Sequence, residues 1–255
     1  MREVEMDVGV NSPDRNSQGF LKLQPKADRY ENASSDIENV AYKIARFVPK
    51  GAYVLDIGCG TGSVSEVIQH LTSAKILGVE PDSTRVALGR ERGINVVEGL
   101  VSDNMLKEKG PFDVVVFADV LEHLPDPAEV VRLAMTGLKP DGIIIASVPN
   151  VAHWFVRSEL LRGRFQYTDC GIMDATHLRW FTLKTLGQFF DNLGCSTIGI
   201  DFTVNIDMRE YHTRKPWKWI GGERKKRLVR FLVKMAPTIF GCQIVICAKP
   251  RSGRD

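Results

Sequence analysis

The stretch YVLDIGCGTGSVSEVIQHL, residues 53–71, limits the fold of this chain more than any other part of it. Its opening apolar run has no polar face and reads as a strand covered on both sides, while SVSEVIQHL repeats its apolar positions at helical spacing. Between them, Gly58, Gly60 and Gly62 permit the positive φ angles of a tight crossing from strand to helix. The alternation then recurs. KILGVE (75–80), INVVEG (94–99), FDVVVFAD (112–119) and GIIIASVPN (142–150) are further short apolar runs, separated by helical or loop segments. Asp82 is placed as N-cap and Gly93 as C-cap of one such helix, DSTRVALGRERG. Strands alternating with helices imply an α/β fold whose parallel sheet is covered on both faces. Residues 1–35 lack periodicity and read as a flexible segment, followed by a helix near 35–48 in which Ile37, Val40, Ala41, Ile44 and Ala45 share one face. Residues 36–255 read as a single domain.

In an open α/β sheet the ligand usually meets the turn after the first strand. A dinucleotide-binding turn has the form G-x-G-x-x-G, and counting from Gly58 puts Ser63 in the third glycine's place, which argues against NAD or FAD. Asp56, two residues before the first glycine, repels a pyrophosphate and suits a ligand carrying an ammonium and a sulfonium. Glu80, ending the next strand, is placed for ribose hydroxyls.

Taken together, DIGCGTG, GVE and FDVVVFADVLEHLPDP resemble the class I S-adenosylmethionine-dependent methyltransferases over about residues 50–150. The resemblance implies a Rossmann-like, open twisted sheet of seven strands, mostly parallel, with an antiparallel last strand near GCQIVICAKP. It also implies S-adenosyl-L-methionine as cofactor. Carried over by position, Asp56, Gly58, Cys59, Gly60 and Gly62 surround the methionine part, and Glu80 and Pro81 meet the ribose. Leu100, Val101 and either Ser102 or Asp103 stand at the adenine, where the chain has Gly99-Leu100-Val101 in place of the family's common Gly-Asp-Ala. Asp119 is the residue expected to meet the cofactor's amino group.

If Asp119 to His123 begin a helix, Asp119, Glu122 and His123 stand at i, i+3 and i+4 on one face, a set suited to a divalent metal or to a base. Ubiquinone-biosynthesis O-methyltransferases carry a similar acid-x-x-Glu-His linked with a metal ion. The segment DATHLRWFTLKTL (174–186) is similar to one lying over the acceptor in those enzymes, which makes His177 a second candidate base. Residues 150–182 resemble methyltransferases of bacterial surface-glycan gene clusters more closely. Their aromatics and arginines read as an acceptor lid, with Asn150, His153, Trp154, Arg164, Tyr167 and Arg179 as contacts. The expected reaction is methyl transfer to a hydroxyl of a sugar in a glycan, glycolipid or nucleotide-sugar. The alternative acceptor is a quinone or other small aromatic. A reading of another class is a cofactor-binding regulatory or nucleic-acid-associated protein without this activity.

The formal net charge of +3 conceals a division. Residues 205–255 hold 13 Lys and Arg against 4 Asp and Glu, a local +9, and the rest of the chain holds 21 against 27, a local −6. Within the insertion 205–240, Leu228, Phe231, Leu232 and Met235 follow helical spacing, Lys225, Lys226, Arg230 and Lys234 lie on other faces, and Trp217 and Trp219 stand upstream. That composition suits an interfacial helix on the inner face of a membrane; the alternative is a stripe packed on the sheet or on the second subunit of a homodimer. No apolar stretch approaches the roughly 20 residues that span a bilayer. The N-terminus shows no apolar leader, and the five cysteines have no metal-binding spacing, so reduced thiols and a cytoplasmic location are expected. No Asn-Pro-Pro-Tyr or Pro-Cys signature and no RNA-binding module is recognisable, which argues against a nucleic-acid acceptor.

Overall fold

The computed structural model describes residues 39–251, so the segment 1–35 and Ile37 of the expected first helix lie outside the described residues. That helix appears as α1 (Val40–Ala45), started by Asn39, whose side chain accepts from the Ala41 N–H. There follow β1 (Tyr53–Ile57), α2 (Ser63–Thr72), β2 (Lys75–Glu80), α3 (Ser83–Glu91), β3 (Asn95–Glu98), α4 (Asp103–Lys109) and β4 (Phe112–Ala118). After β4 come α5 (Pro127–Met135), β5 (Leu138–Pro149), α6 (Trp154–Leu160), α7 (Leu183–Asn192) and β6 (Cys195–Phe202). The last elements are α8 (Arg209–Thr213), α9 (Gly222–Met235), α10 (Pro237–Phe240) and β7 (Gln243–Pro250).

Seven strands form one sheet in the order β3-β2-β1-β4-β5-β7-β6. Pairing is parallel from β3 through β5, and β7 runs antiparallel between β5 and β6. The order reverses between β1 and β4, and a crevice opens outside the carboxyl ends of strands at such a point. The apolar run Val114–Ala118 of β4 has a direct cause. Successive residues of a strand face opposite ways. Val115 and Phe117 join one layer with Leu106 of α4, Val131 of α5, Leu186 and Phe190 of α7 and Val229 of α9. Val114 and Val116 join the other with Ile44 of α1, Ile68 of α2 and Val86 of α3. Each such side chain contributes about 1.5–3 kcal/mol on burial, so a polar residue at any of Val114–Phe117 is costly on either face.

Local signals are used largely as the residues suggest. Asp82 caps α3 by accepting from the Arg85 N–H at 3.0 Å. Gly93 lies one residue past the cap, Arg92, at φ +79°, and its N–H reaches the Arg90 carbonyl. β5 starts earlier than GIIIASVPN, because Leu138 already pairs with Phe112 before a register shift. Both insertions are rooted at one residue. Asn150, buried at the end of β5, donates from Nδ2 to the carbonyls of Thr238 (3.0 Å) and Gly241 (2.9 Å) and accepts from the Ala152 N–H at 3.1 Å. All five cysteines are free thiols. Among the described residues no helix is long and apolar enough to cross a membrane.

Candidate active site

The turn from β1 to α2 is held in left-handed backbone at Gly58 (φ +70°), Gly60 (+54°) and Gly62 (+77°). Space forbids side chains at two of them. A Cβ on Gly58 would stand 2.8 Å from Val120 Cγ2, and one on Gly62 would stand 3.1 Å from Ile94 Cγ1 and 3.3 Å from the Gly89 backbone. Gly78 in β2 leaves room for Cys59, whose Sγ lies where a Cβ would need to be. Glu80 fixes the loop from the neighbouring strand: Oε2 accepts from the Gly60 N–H at 3.0 Å and Oε1 from the Asp82 N–H at 3.1 Å.

Asp56 is fully buried beneath this loop. Oδ2 accepts from Ser65 Oγ at 2.5 Å, and Oδ1 is buried with no hydrogen-bond partner. Burial pushes its carboxyl up to about 7, the Ser65 hydroxyl opposes this, and the Glu80 charge adds to it. A buried carboxyl with an oxygen to spare, next to bare backbone, suits a ligand that carries positive charge. On the far side of the crevice Leu100 is largely exposed after β3, and Ser102 Oγ accepts from the Met105 N–H at the start of α4. Pro81 is exposed and Val101 half-buried beside them.

The loop after β4 departs from the helical expectation. Asp119 adopts φ +55°, which breaks any helix there, and only Leu121–His123 make a 3₁₀ turn. The i, i+3, i+4 relation therefore does not form. Asp119 instead joins the ends of three strands, accepting from Ser147 Oγ at 2.8 Å and Gln243 Nε2 at 2.5 Å; burial raises its carboxyl to about 6. Glu122 and His123 turn elsewhere and meet His177. One ligand-type atom from each of Glu122, His123 and His177 lies within 4.8 Å of the others, and the two imidazole centroids are 4.9 Å apart. The contact arises because the Glu122 carbonyl accepts from the N–H groups of Leu178 (2.7 Å) and Arg179 (3.0 Å). His123 Nδ1 lies 3.2 Å from the Thr176 carbonyl, and His177 Nδ1 lies 3.2 Å from that of Ile172. Carbonyls at Nδ1 hold the proton there and put the lone pair on Nε2. Glu122 is 1% exposed and neither carboxylate oxygen has a hydrogen-bond partner. Its carboxyl is driven well above the ordinary range by burial first and then by the charges of Asp119 and Asp174.

Comparison with known proteins decides the family. A family described as methyltransferase domain matches residues 31–199. The chain belongs to this methyltransferase family. It is 36% identical over 115 residues to a ubiquinone biosynthesis O-methyltransferase of Xanthomonas axonopodis pv. citri, covering 43% of this chain and 48% of that protein. A protein of the same name from Xylella fastidiosa is 34% identical over 145 residues, 49% of this chain and 58% of that one. The chain thus spans about half the length of the curated relatives it matches. In fold it is similar to a SAM-dependent methyltransferase of Archaeoglobus fulgidus, with TM-score 0.56 and 24% identity over 84% of this chain and 94% of that one. The cofactor of this methyltransferase is S-adenosylmethionine, which supplies a sulfonium-activated methyl group. The residues present fit it: Asp56 Oδ1 is buried with no hydrogen-bond partner and suits a positively charged group, and the glycine turn offers backbone that no Cβ crowds.

The segment 150–182 of the methyltransferase, expected as an acceptor lid, distributes its residues unevenly. Asn150 and His153 are structural in their contacts: Asn150 clamps backbone, and His153, fully buried, faces the Phe155 N–H at the start of α6 with burial lowering its imidazole to about 3. Trp154 donates from Nε1 to Tyr211 Oη at 3.0 Å and packs on Trp217. These three were expected as acceptor contacts; Asn150 and Trp154 commit their side-chain donors to the fold, and His153 does so through Nδ1, while its Nε2 is buried with no hydrogen-bond partner. Arg179 likewise donates to the carbonyl of Pro125. Arg164 reaches Glu159 at 3.4 Å in a cleft of about 270 Å³ with Phe155, Arg209 and Arg214. Tyr167 remains exposed and lies edge-on to Phe165, beside Trp180.

Proposed function

We propose that this methyltransferase places the methyl group on a hydroxyl oxygen of a small aromatic, quinone-type acceptor. The buried Glu122–His123–His177 cluster carries the proposal, because a partnerless carboxyl beside two imidazoles costs stability and suits proton handling or cation holding. The relatives named for ubiquinone biosynthesis favour an aromatic hydroxyl over a sugar. S-adenosylmethionine, held at Asp56, Glu80 and the glycine turn, would supply an electrophilic methyl group to the acceptor oxygen, and the hydroxyl proton would pass to Nε2 of His177 or His123. Alignment supplies much of the rate, and proton removal contributes roughly 10²–10⁴-fold.

The same three side chains suit a divalent cation, with the Nδ1–carbonyl contacts orienting both imidazoles and Glu122 supplying negative charge. Chelation separates the two mechanisms. Purified protein is given S-adenosylmethionine and a catechol, and release of S-adenosylhomocysteine is followed with and without chelator. Loss of activity on chelation and its return with magnesium assigns a cation; indifference assigns a base. A sugar remains the second reading, favoured by the exposed Tyr167 against Phe165, which offers an aromatic surface to a pyranose face. Nucleotide-sugars belong in the same assay. Turnover of nucleotide-sugars with none of catechols overturns the aromatic proposal.

A further inference from the structure

The insertion between β6 and β7 carries a surface that the methyl-transfer site does not use. Helix α9 has three faces. Lys225, Val229 and Val233 are buried, with Val229 and Val233 in the main core and Lys225 Nζ donating to the Tyr211 carbonyl at 2.7 Å. Leu228, Phe231 and Met235 point outward, Phe231 57% and Met235 67% exposed. At 100° per residue those three fall within an arc of about 60°. Arg227, Arg230 and Lys234, all exposed, follow on the side of this arc away from the core. Trp219 is 67% exposed, with Lys215 Nζ 5.0 Å from its ring centroid and Lys218 beside it. Residues 209–234 hold ten Lys and Arg against two Asp and Glu. The expectation that Leu232 belongs to this stripe is corrected: it turns toward the core, and the exposed stripe is the narrower set Leu228, Phe231 and Met235.

We infer that this face seats on an anionic lipid surface, with Phe231, Met235, Leu228 and Trp219 entering the headgroup–acyl boundary and the flanking arginines and lysines meeting lipid phosphates. The occupant follows from charge and polarity together. A second copy packed antiparallel, about a two-fold axis perpendicular to α9, brings Arg227, Arg230 and Lys234 against their own equivalents, and like charges oppose that pairing. A nucleic acid satisfies the cations and leaves Phe231 and Met235 in water. A bilayer with anionic headgroups satisfies both sets at once. Docking is peripheral, since no helix among the described residues is long and apolar enough to span. This inference stands apart from the acceptor's identity and fails or holds without it.

The test is flotation of the full chain with vesicles of phosphatidylcholine alone and of phosphatidylcholine with about one-third phosphatidylglycerol, with Trp fluorescence read in parallel. Expected are partition to the anionic vesicles only, a blue shift lost in Trp219→Phe, and release by added salt. Each basic residue near such a surface is worth about 1 kcal/mol, so Arg227→Glu with Lys234→Glu weakens partition at least tenfold. Phe231→Ser with Met235→Ser also weakens it at least tenfold while S-adenosylmethionine affinity stays at the unmodified value, which shows that the variant is folded. The inference is overturned by no partition to anionic vesicles at low salt, by full partition of the Phe231/Met235 variant, by a dimer in sedimentation that the same variant abolishes, or by tight binding to a DNA duplex in place of vesicles.

Discussion

The amide of Gly60 donates to the carboxylate of Glu80 across 3.0 Å, so the shape of the cofactor loop depends on an acid at the end of a neighbouring strand. The same carboxylate holds the Asp82 N–H, and with it the start of α3. Replacing Glu80 with alanine strips two backbone amides of their acceptor at once. Titration calorimetry on Glu80→Ala is expected to show S-adenosylmethionine binding weaker by about 1.5–3 kcal/mol, the scale of hydrogen bonds to charged groups. Unchanged affinity removes Glu80 from the cofactor site.

Asp56 gives the ligand-free protein a pH dependence of defined sign. In the fold its carboxyl titrates at about 7, against an ordinary 3.8, so between those values the folded chain holds a proton that the unfolded chain has released. The contribution of Asp56 to stability is therefore complete below about pH 4 and is lost as pH rises through 7, and Asp119, raised to about 6, acts in the same direction. Denaturation midpoints across pH 4–8 are expected to decline, with a smaller slope in Asp56→Asn. S-adenosylmethionine affinity runs the other way, strengthening as pH rises through 7, because the ionised carboxylate is the form that attracts a sulfonium and an ammonium. A flat affinity profile in the unmodified protein contradicts this role.

Gly58 and Gly93 share nearly the same backbone, at φ +70° and +79°, in different surroundings. Alanine at either position accepts a left-handed conformation at about 1–2 kcal/mol. At Gly93 nothing stands within 4 Å of the new Cβ, whereas at Gly58 it meets Val120. Urea denaturation is expected to place Gly58→Ala at least 1 kcal/mol below Gly93→Ala. Equal losses leave the close approach to Val120 without energetic weight.

For the proton-handling cluster, His177→Ala is expected to lose at least tenfold in kcat with S-adenosylmethionine affinity intact. Glu122→Gln is a sharper probe: it keeps the volume and removes the charge. Under cation chemistry it loses activity that excess magnesium partly restores, and under simple base chemistry it changes kcat little, because burial disfavours the charged form of Glu122. Full activity in His177→Ala and His123→Ala removes acid–base assistance by either.

Much of this was legible locally, and what was not has a physical cause. β1, its glycine turn and α2 follow from short-range rules, as does the Asp82 cap. Asp119 defeated the helical spacing because a left-handed φ at a non-glycine residue leaves no mark in composition. His177 joins Glu122 and His123 through backbone hydrogen bonds between segments far apart in sequence, which no spacing rule detects. In α9 both arcs carried apolar side chains, and the inward one was settled by Lys225 reaching the Tyr211 carbonyl, a lysine whose burial no hydropathy pattern announces. Asn150 and Trp154, in the segment expected as a lid, carry functional-looking side chains whose donors the fold uses itself, and His153 does the same through Nδ1.

The Asn150 clamp has a consequence for how such a chain can diversify. One carboxamide ties the last residues before β7 to the end of β5, so the two insertions meet the sheet at a common anchorage. The donor's seat, by contrast, is assembled from β1, β2 and the loops that follow them. Segments 150–182 and 203–242 can therefore be exchanged or reshaped as a pair, re-aiming the methyl group toward a new acceptor, while the machinery that holds the donor keeps every one of its contacts.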